Sequence, residues 1–251
     1  MNRSPRYWLV VPAAGIGSRF NSDTPKQYLS LAGKTVLENT LHHFLSDEKI
    51  ERIFLTLNPN DSHWKTLSTS HHSKVEVVEG GEDRHISVFN ALKVLKEIAD
   101  SEDFVLVHDA ARPCITPSDI DSLIESTKDH AVGGLLGAPV TDTLKNVGFE
   151  PLSNTDTEEK PLSKPVVLNT INRQTTWSAY TPQIFRFRIL YEALRTLVKS
   201  ETSVTDESMA IEYAGYQPLL VKGRSDNIKV TVPEDLDMAE KILESHRKNF
   251  S

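Results

Sequence analysis

The sequence predicts an α/β protein built as three layers, α/β/α, with one protruding β-arm. Short runs of apolar and β-branched residues alternate with longer segments of helical periodicity, which is typical of βαβ units in an open sheet. Two of the short runs, Tyr7–Val11 and Phe104–Val107, are apolar almost throughout, as strands are when helices cover both faces of a sheet. The alternation breaks after Pro139, and this break predicts the arm.

The elements of the sheet follow one another in chain order. Strands are predicted at Tyr7–Val11, Arg52–Leu57, Lys74–Val78 and Phe104–Val107. Helices are predicted at Thr35–Leu45, Arg84–Ala99 and Pro117–Lys128. Because crossover connections between parallel strands are almost always right-handed, these helices are expected to cover the sheet.

The second half of the chain predicts the arm and a return to helical pattern. Strands are predicted at Thr141–Val147 and Val166–Ile171, separated by the polar, acidic segment Gly148–Pro165. We therefore expect a single domain over residues 1–251, in which residues 140–172 form an arm with a flexible tip. Helices are predicted at Phe185–Lys199, Thr205–Tyr213 and Pro233–His246, and a strand at Gln217–Val221.

Composition limits the classes of function. The chain has 251 residues, of which 38% are hydrophobic and 25% charged, as in a soluble globular enzyme. A net charge of -7 argues against nucleic-acid binding, and no apolar run is long enough to cross a membrane, so neither partner is expected. The one cysteine, Cys114, cannot form an internal disulfide, which suits a cytoplasmic location.

A loop of small residues follows the first predicted strand, at residues 12–20 (PAAGIGSRF). Small residues let the backbone approach a ligand, and successive N–H groups can form a nest for phosphate oxygens. Arg19 and Lys26 place two cations beside this loop, where fixed charge stabilises the transition state of transfer at an α-phosphorus. Residues 12–27 therefore predict a triphosphate site. They match neither the Walker loop nor the dinucleotide fingerprint.

Two further segments extend the predicted site. Asp109 follows the strand Phe104–Val107, and a carboxylate beside a triphosphate is a natural ligand for Mg²⁺. His108 has no second histidine at ligand spacing and is interpreted as structural. Gly80–Arg84 joins a strand to a helix, and its glycines can offer main-chain groups to a ligand, although a plain helix start explains the same residues about as well.

Five more motifs follow in order along the chain. They are GGEDR at 80–84, HDAARP at 108–113, TPQ at 181–183, TDE at 205–207 and GRSDNIKVT at 223–231. With AAGIGSR at 13–19 and PKQ at 25–27, this set resembles the 2-C-methyl-D-erythritol 4-phosphate cytidylyltransferase family of the sugar-phosphate nucleotidyltransferase superfamily. The resemblance covers essentially the whole chain. It implies a Rossmann-like nucleotidyltransferase fold and transfer of CMP from CTP to 2-C-methyl-D-erythritol 4-phosphate, with release of pyrophosphate.

The resemblance also implies roles for individual residues. The implied catalytic residues are Arg19, Lys26 and Lys229. The implied CTP-binding residues are Ala13, Ala14, Gly15, Gly17, Gly81, Glu82, Asp83, Ser87 and Asp109. The implied acceptor-binding residues are Asp109, Ala110, Arg112, Thr143, Arg173, Thr181 and Thr205. Asp109 would also bind Mg²⁺ or another divalent cation, and the arm would join two subunits into a homodimer in which each site is completed by the partner.

Two other functions remain open from the sequence. A cytidylyltransferase acting on ribitol 5-phosphate would share the CTP loop and both lysines, so only the acceptor pocket separates it from the methylerythritol enzyme. The runs at 109–113 and 226–229 favour the methylerythritol enzyme. A non-catalytic nucleotide-binding regulator would be expected to lack a charged catalytic residue, whereas Arg19, Lys26, Asp109 and Lys229 are all present.

Overall fold

The computed structural model describes residues 3–15, 24–151 and 163–249. Gly17, Arg19 and the predicted tip of the arm from 152 to 162 lie outside the described residues. Within the described chain, one sheet contains β1 (Tyr7–Pro12), β4 (Ile50–Leu57), β5 (Val75–Glu79), β6 (Phe104–Val107), β7 (Gly133–Pro139), β10 (Trp177–Arg186) and β11 (Leu219–Lys222). The strand order is β11-β7-β10-β6-β1-β4-β5. Two short strands, β2 (Ser30–Leu31) and β3 (Lys34–Thr35), pair separately as a hairpin.

Helices cover both faces of the sheet, which confirms the predicted three-layer α/β/α class. The helices are α1 (Val36–Ser46), α2 (Arg84–Leu95), α3 (Pro117–Thr127), α4 (Phe187–Lys199), α5 (Glu207–Tyr213) and α6 (Glu234–Asn249). One apolar core packs α1 and α3 against one face, and a second packs α2, α4 and α5 against the other. Strand β1 lies between the two cores, and Leu9 and Val10 on opposite faces of it are fully buried.

Capping residues fix where helices start near the cleft. Thr35 and Glu38 form a reciprocal capping box at α1, which satisfies backbone N–H groups that the first turn leaves free. Thr116 caps α3 with Pro117 in its first turn, and α3 begins at the residue where the predicted helix begins. In the described chain, no helix is both long and apolar enough to span a membrane.

Two strands of the sheet, β7 and β10, were not predicted from the sequence. Strand β7 contains glycines that usually weaken strands, but they are needed here: a Cβ on Gly133 would lie 2.0 Å from the carbonyl oxygen of Ile184. Strand β10 contains Pro182, which lies where the pairing with β7 shifts register, a position that tolerates proline. The helix predicted from Phe185 begins at Phe187 instead, because Phe185 pairs with Val105 of β6.

Strand β10 runs antiparallel to both of its neighbours, so the sheet is mixed and not built from parallel βαβ units alone. The arm is a separate antiparallel pair, β8 (Lys145–Pro151) and β9 (Ser163–Thr170). The predicted strand Thr141–Val147 was wrong in its first part, since residues 141–144 precede the strand. Apolar side chains are exposed on the arm: Phe149 is 67% exposed, and Val167 and Leu168 are each 62% exposed.

Candidate functional site

A cleft opens where β1, β5 and β6 end at the same edge of the sheet. In open α/β sheets, ligands bind beyond the carboxyl ends of the strands, so this edge is the expected place for a site. The cleft has an empty volume of about 600 Å³. Its lining combines backbone-rich segments with charged side chains: Pro12, Ala13, Ala14, Gly15, Lys26, Gln27, Gly81, Glu82, Asp83, Arg84, Ser87, Asp109, Ala110, Ala111 and Lys229.

The first wall is the described part of the predicted phosphate loop. The N–H of Ala13 donates to the carbonyl of Thr56 at 2.9 Å, which continues the pairing of β1 with β4. The buried side chain of Gln27 donates to the carbonyl oxygens of Ala13 at 2.8 Å and Gly15 at 3.3 Å. These two carbonyl oxygens of the loop are therefore hydrogen-bonded within the protein. The adjoining Lys26 lies on a single 3-10 turn, and its Nζ donates to the carbonyl of Val230 at 3.1 Å.

The second wall is the segment between β5 and α2. Ser87, in the first turn of α2, accepts a hydrogen bond from the N–H of Gly81 at 2.9 Å and donates to the carbonyl of Asp83 at 3.1 Å. One buried hydroxyl therefore fixes the backbone of residues 81–83 along the cleft. The two walls touch at Gly80, where an added Cβ would lie 2.3 Å from the Cβ of Ala14.

A buried carboxylate surrounded by cations forms the floor. Asp109 is 7% exposed; its Oδ1 accepts from Nε of Arg84 at 2.9 Å, and its Oδ2 lies 2.8 Å from Nζ of Lys229. Nε of Arg112 lies 3.5 Å from the same Oδ2. Burial alone would raise the pKa of Asp109, but Arg84 and Lys229 outweigh burial and hold that pKa far below its usual range. Asp109 is therefore ionised at neutral pH.

A hydrogen-bonded layer of buried groups supports the floor from behind. The N–H of Asp109 donates to Oγ1 of Thr181 at 3.0 Å, and Thr181 Oγ1 lies 3.1 Å from Nδ1 of His108. Nε2 of His108 is 3.1 Å from the carbonyl of Arg112, so this nitrogen must carry the proton. Burial lowers the pKa of His108 to about 4, and the ring is neutral. This arrangement agrees with the interpretation of His108 as structural.

The cleft brings together all of the predicted CTP-binding and catalytic residues that the structure describes. Arg112 and Thr181, predicted to bind the acceptor, lie behind Asp109 and do not line the cleft. Arg112 donates to the carbonyl of Asn227 at 2.7 Å, and Asn227 donates to the carbonyl of Thr181 at 2.9 Å.

Three other predicted acceptor residues lie outside the cleft within this single chain. Thr143 and Arg173 are exposed at the base of the arm, where Arg173 donates to the carbonyl of Thr141 at 2.7 Å. Thr205 is exposed in the segment before α5. A complete acceptor pocket of these residues is therefore not assembled within the described part of one chain.

Arg84 and Gln27 lie in predicted ligand segments, but no individual role was predicted for their side chains or for Glu207, which the structure places in or directly behind the cleft. The sequence did contain a signal that these three residues belong to the site, because all of them lie inside the motifs on which the family resemblance rests. Residue type alone did not distinguish them from surface residues, because their burial depends on contacts with remote segments.

Comparison with known proteins gives a consistent result. Residues 7–245 match the sequence model of the family IspD: 2-C-methyl-D-erythritol 4-phosphate cytidylyltransferase. A 2-C-methyl-D-erythritol 4-phosphate cytidylyltransferase of Pseudomonas entomophila is 45% identical over 234 residues, which cover 93% of this chain and 94% of the relative. A protein of the same name from Hahella chejuensis is 45% identical over 238 residues, covering 95% and 93% of the two chains.

Solved structures agree with the sequence comparison. The crystal structure of Francisella tularensis 2-C-methyl-D-erythritol 4-phosphate cytidylyltransferase (IspD) superposes with a TM-score of 0.77 at 36% identity, covering 94% of this chain and 99% of that one. The protein of the same name from Thermus thermophilus superposes with a TM-score of 0.70 at 27% identity, covering 94% and 98%. Sequence, fold and cleft together establish that this chain belongs to the 2-C-methyl-D-erythritol 4-phosphate cytidylyltransferase family.

Proposed function

We propose that this protein transfers CMP from CTP to 2-C-methyl-D-erythritol 4-phosphate, giving 4-diphosphocytidyl-2-C-methyl-D-erythritol and pyrophosphate for isoprenoid precursor synthesis. The observation that carries the proposal is the convergence of Lys26, Lys229 and Asp109 on one cleft beside the Ala13–Gly15 backbone, in a chain of this family. Two ammonium groups on one cleft suit a triphosphate, because fixed cations stabilise the charge on its oxygens.

The chemistry needs alignment and charge stabilisation and no covalent enzyme intermediate. A phosphate oxygen of the acceptor attacks the α-phosphorus of CTP, and the bond from that phosphorus to the β-bridging oxygen breaks. The electron pair leaves with pyrophosphate. Lys26 and Lys229 stabilise the negative charge that develops on the α-phosphate oxygens, as fixed cations do in phosphoryl transfer.

We propose Mg²⁺ as the cofactor, bound mainly through the triphosphate. In the described chain, no three His, Cys, Asp or Glu side chains are grouped to hold an ion by themselves. Asp109 is ionised, and a carboxylate accepts about four hydrogen bonds or metal bonds, so it retains capacity beyond its cationic neighbours. Mg²⁺ suits such a site because it keeps water and phosphate ligands. The ion would neutralise charge on the leaving pyrophosphate.

The exposed apolar side chains of the arm support our proposal that the protein is a homodimer. We also propose that it is cytoplasmic. Val147, Phe149 and Val167 expose apolar side chains on one face of the β8–β9 pair, and contiguous exposed apolar groups mark interaction surfaces. A partner's arm would bring Thr143 and Arg173 to the acceptor side of the cleft. The cytoplasmic assignment rests on the single cysteine, Cys114, which is buried and free.

The dimer is tested by substitution on the arm. Phe149→Asp should weaken self-association in sedimentation experiments and reduce turnover at nanomolar protein. Met238→Asp, a matched control at an apolar side chain 56% exposed on α6, should change neither. A wild-type protein that is monomeric and fully active at nanomolar concentration would contradict the dimer.

The reaction is tested by pyrophosphate release with four nucleoside triphosphates against methylerythritol phosphate, ribitol 5-phosphate and a sugar 1-phosphate. We expect release only with CTP and methylerythritol phosphate, and only with a divalent cation. Pyrophosphate release with ribitol 5-phosphate instead would show that the protein is a cytidylyltransferase acting on ribitol 5-phosphate. CTP-dependent thermal stabilisation without any release would favour a nucleotide-binding regulator.

A further inference from the structure

Glu207 is a fully buried carboxylate directly behind the cleft, and the mechanism above does not use it. It is the first residue of α5, and its side chain is 0% exposed. Its Oε1 accepts from NH1 of Arg84 at 2.7 Å. Nε of the same Arg84 donates to Oδ1 of Asp109 at 2.9 Å. One planar guanidinium therefore joins Glu207 to the carboxylate on the floor of the cleft.

We propose that Glu207 is a positioning residue for nucleotidyl transfer: it holds Arg84, and through Arg84 it fixes the orientation of Asp109. The inference rests on the proposed function, since it assigns a role within that reaction. Arginine suits this position because its donors form a rigid fork that can engage two carboxylates at fixed angles.

The charges around Arg84 explain how Glu207 contributes to the position of Arg84. Burial opposes the charged form of Arg84, but Glu207 and Asp109 outweigh burial and raise the pKa of Arg84 above its usual value. Arg84 is therefore charged and lies between two carboxyl groups; burial raises the pKa of Glu207, and Arg84 opposes that rise. Of the cations around Asp109, the side chain of Lys229 is 40% exposed, against 25% for Arg84 and 11% for Arg112. Glu207 thus keeps Arg84 on the floor while Lys229 remains accessible to phosphate.

The guanidinium has a group that could turn toward a ligand if Glu207 lost its charge. NH2 of Arg84 is buried and makes no hydrogen bond to the described residues, and the same holds for Oε2 of Glu207. A buried cation without its counter-charge is costly. Without Glu207, Arg84 would be drawn to the triphosphate, and Asp109 would lose the partner on its Oδ1.

Neighbouring motifs place Glu207 with little freedom. Asp206 caps α5 by accepting from the N–H of Met209 at 2.9 Å, and Gln183 donates to Asp206 at 2.8 Å. Gln183 also accepts from the N–H of Ser208 at 2.7 Å. Gln183 belongs to β10, the strand whose Thr181 accepts the N–H of Asp109. Asp109 is therefore held through its backbone and through its carboxylate, and both connections lead to the same strand.

The test compares two buried carboxylates, Glu207 behind the cleft and Asp103 at the other end of β6 from Asp109. Glu207→Gln keeps the shape and removes the charge. Asp103→Asn is the matched control: Asp103 is 2% exposed, precedes β6 and accepts from Arg6 at 3.0 Å and from Trp8 at 3.0 Å, away from the cleft. For each variant, kcat, KM for both substrates, the Kd of CTP and the melting temperature are measured on the full chain.

We expect Glu207→Gln to lower kcat at least tenfold while the Kd of CTP stays within threefold of wild type or tightens. Asp103→Asn should lower the melting temperature and leave kcat per folded molecule within twofold. A kcat for Glu207→Gln within twofold of wild type would overturn the proposal. A loss of turnover in Glu207→Gln that is fully explained by loss of folded protein would also overturn the proposal.

A second variant covers the case in which Glu207→Gln does not fold. Arg84→Lys keeps the positive charge but cannot donate to both carboxylates at once, so it should reproduce the loss in kcat. Normal kcat in Arg84→Lys would equally overturn the proposal. Wild-type protein that releases no pyrophosphate would instead refute the proposed function, which keeps the two failures distinct.

Discussion

Gly80 offers a sharp test of how the two walls of the cleft are built. Its backbone lies in a region open to any residue, so only steric contact requires glycine here. A Cβ at this position would lie 2.3 Å from the Cβ of Ala14, whereas ordinary contacts begin near 3.4 Å. Gly80→Ala must therefore push the phosphate-loop wall and the Gly81–Asp83 wall apart by about 1.1 Å.

The size of the effect follows from that displacement. Overpacking of this kind costs about 1–3 kcal/mol, which corresponds to roughly 5- to 150-fold in an equilibrium constant. Because both walls are proposed to contact CTP, we expect the KM for CTP to rise about tenfold or more, and kcat to fall as well because the reacting groups are misaligned.

The assay is pyrophosphate release, with CTP affinity measured separately by calorimetry. The double variant Ala14→Gly/Gly80→Ala removes the methyl group that the new side chain meets, so it should recover most of the lost affinity. The single variant Ala14→Gly gives the baseline. If Gly80→Ala has wild-type KM and kcat, or if the double variant is no better than Gly80→Ala, the two walls do not press on each other as described.

Three further results are expected. Lys229→Ala should cut turnover about a hundredfold with the fold intact, whereas Lys222→Ala, at an exposed lysine of β11, should have no effect in the same assay. Buried His108 should contribute up to about 2 kcal/mol to a fall in stability from pH 7 to pH 5, measured by urea titration, because unfolded histidine takes up a proton near pH 6.5 and His108 does so only near pH 4. Burial also lowers the pKa of His43 to about 4, so His43 adds to the same fall. His108→Gln should reduce the pH dependence without abolishing it, and an unchanged slope would show that other groups cause it. Gln27→Ala should weaken CTP binding, since it releases the carbonyls of Ala13 and Gly15, and unaltered affinity would show that the loop holds its shape unaided.

The sequence predicted those parts of the fold whose signals are local. Strand β6 was predicted with its observed bounds because four apolar residues between polar ones leave few alternatives. Strands β7 and β10 were missed because their pattern reflects tertiary contact: glycine at 133 is required by the backbone of Ile184, and Pro182 is tolerated at a register shift.

The same distinction applies to the site. The loop residues and Lys26 were predicted because small residues after a strand and nearby cations form a short-range pattern, whereas Lys229 was implied only by the family resemblance. Arg84 and Glu207 were not assigned roles because their pairing spans 123 positions, and no spacing rule predicts which buried carboxylate an arginine will meet. Thr143 and Arg173 remain predictions, since their proposed role depends on a second subunit.

The bond from Lys26 to the carbonyl of Val230 joins segments 204 positions apart. Strands β1, β4, β5 and β6 all precede Lys229 in the chain, so the wall that contains Lys229 is synthesised after them. Translation products truncated before residue 229 would therefore lack the second lysine and could not complete the reaction. Contacts between such distant segments also slow folding, because a long loop must close before they are made. Catalytic competence is thus delayed until Lys229 has emerged from the ribosome.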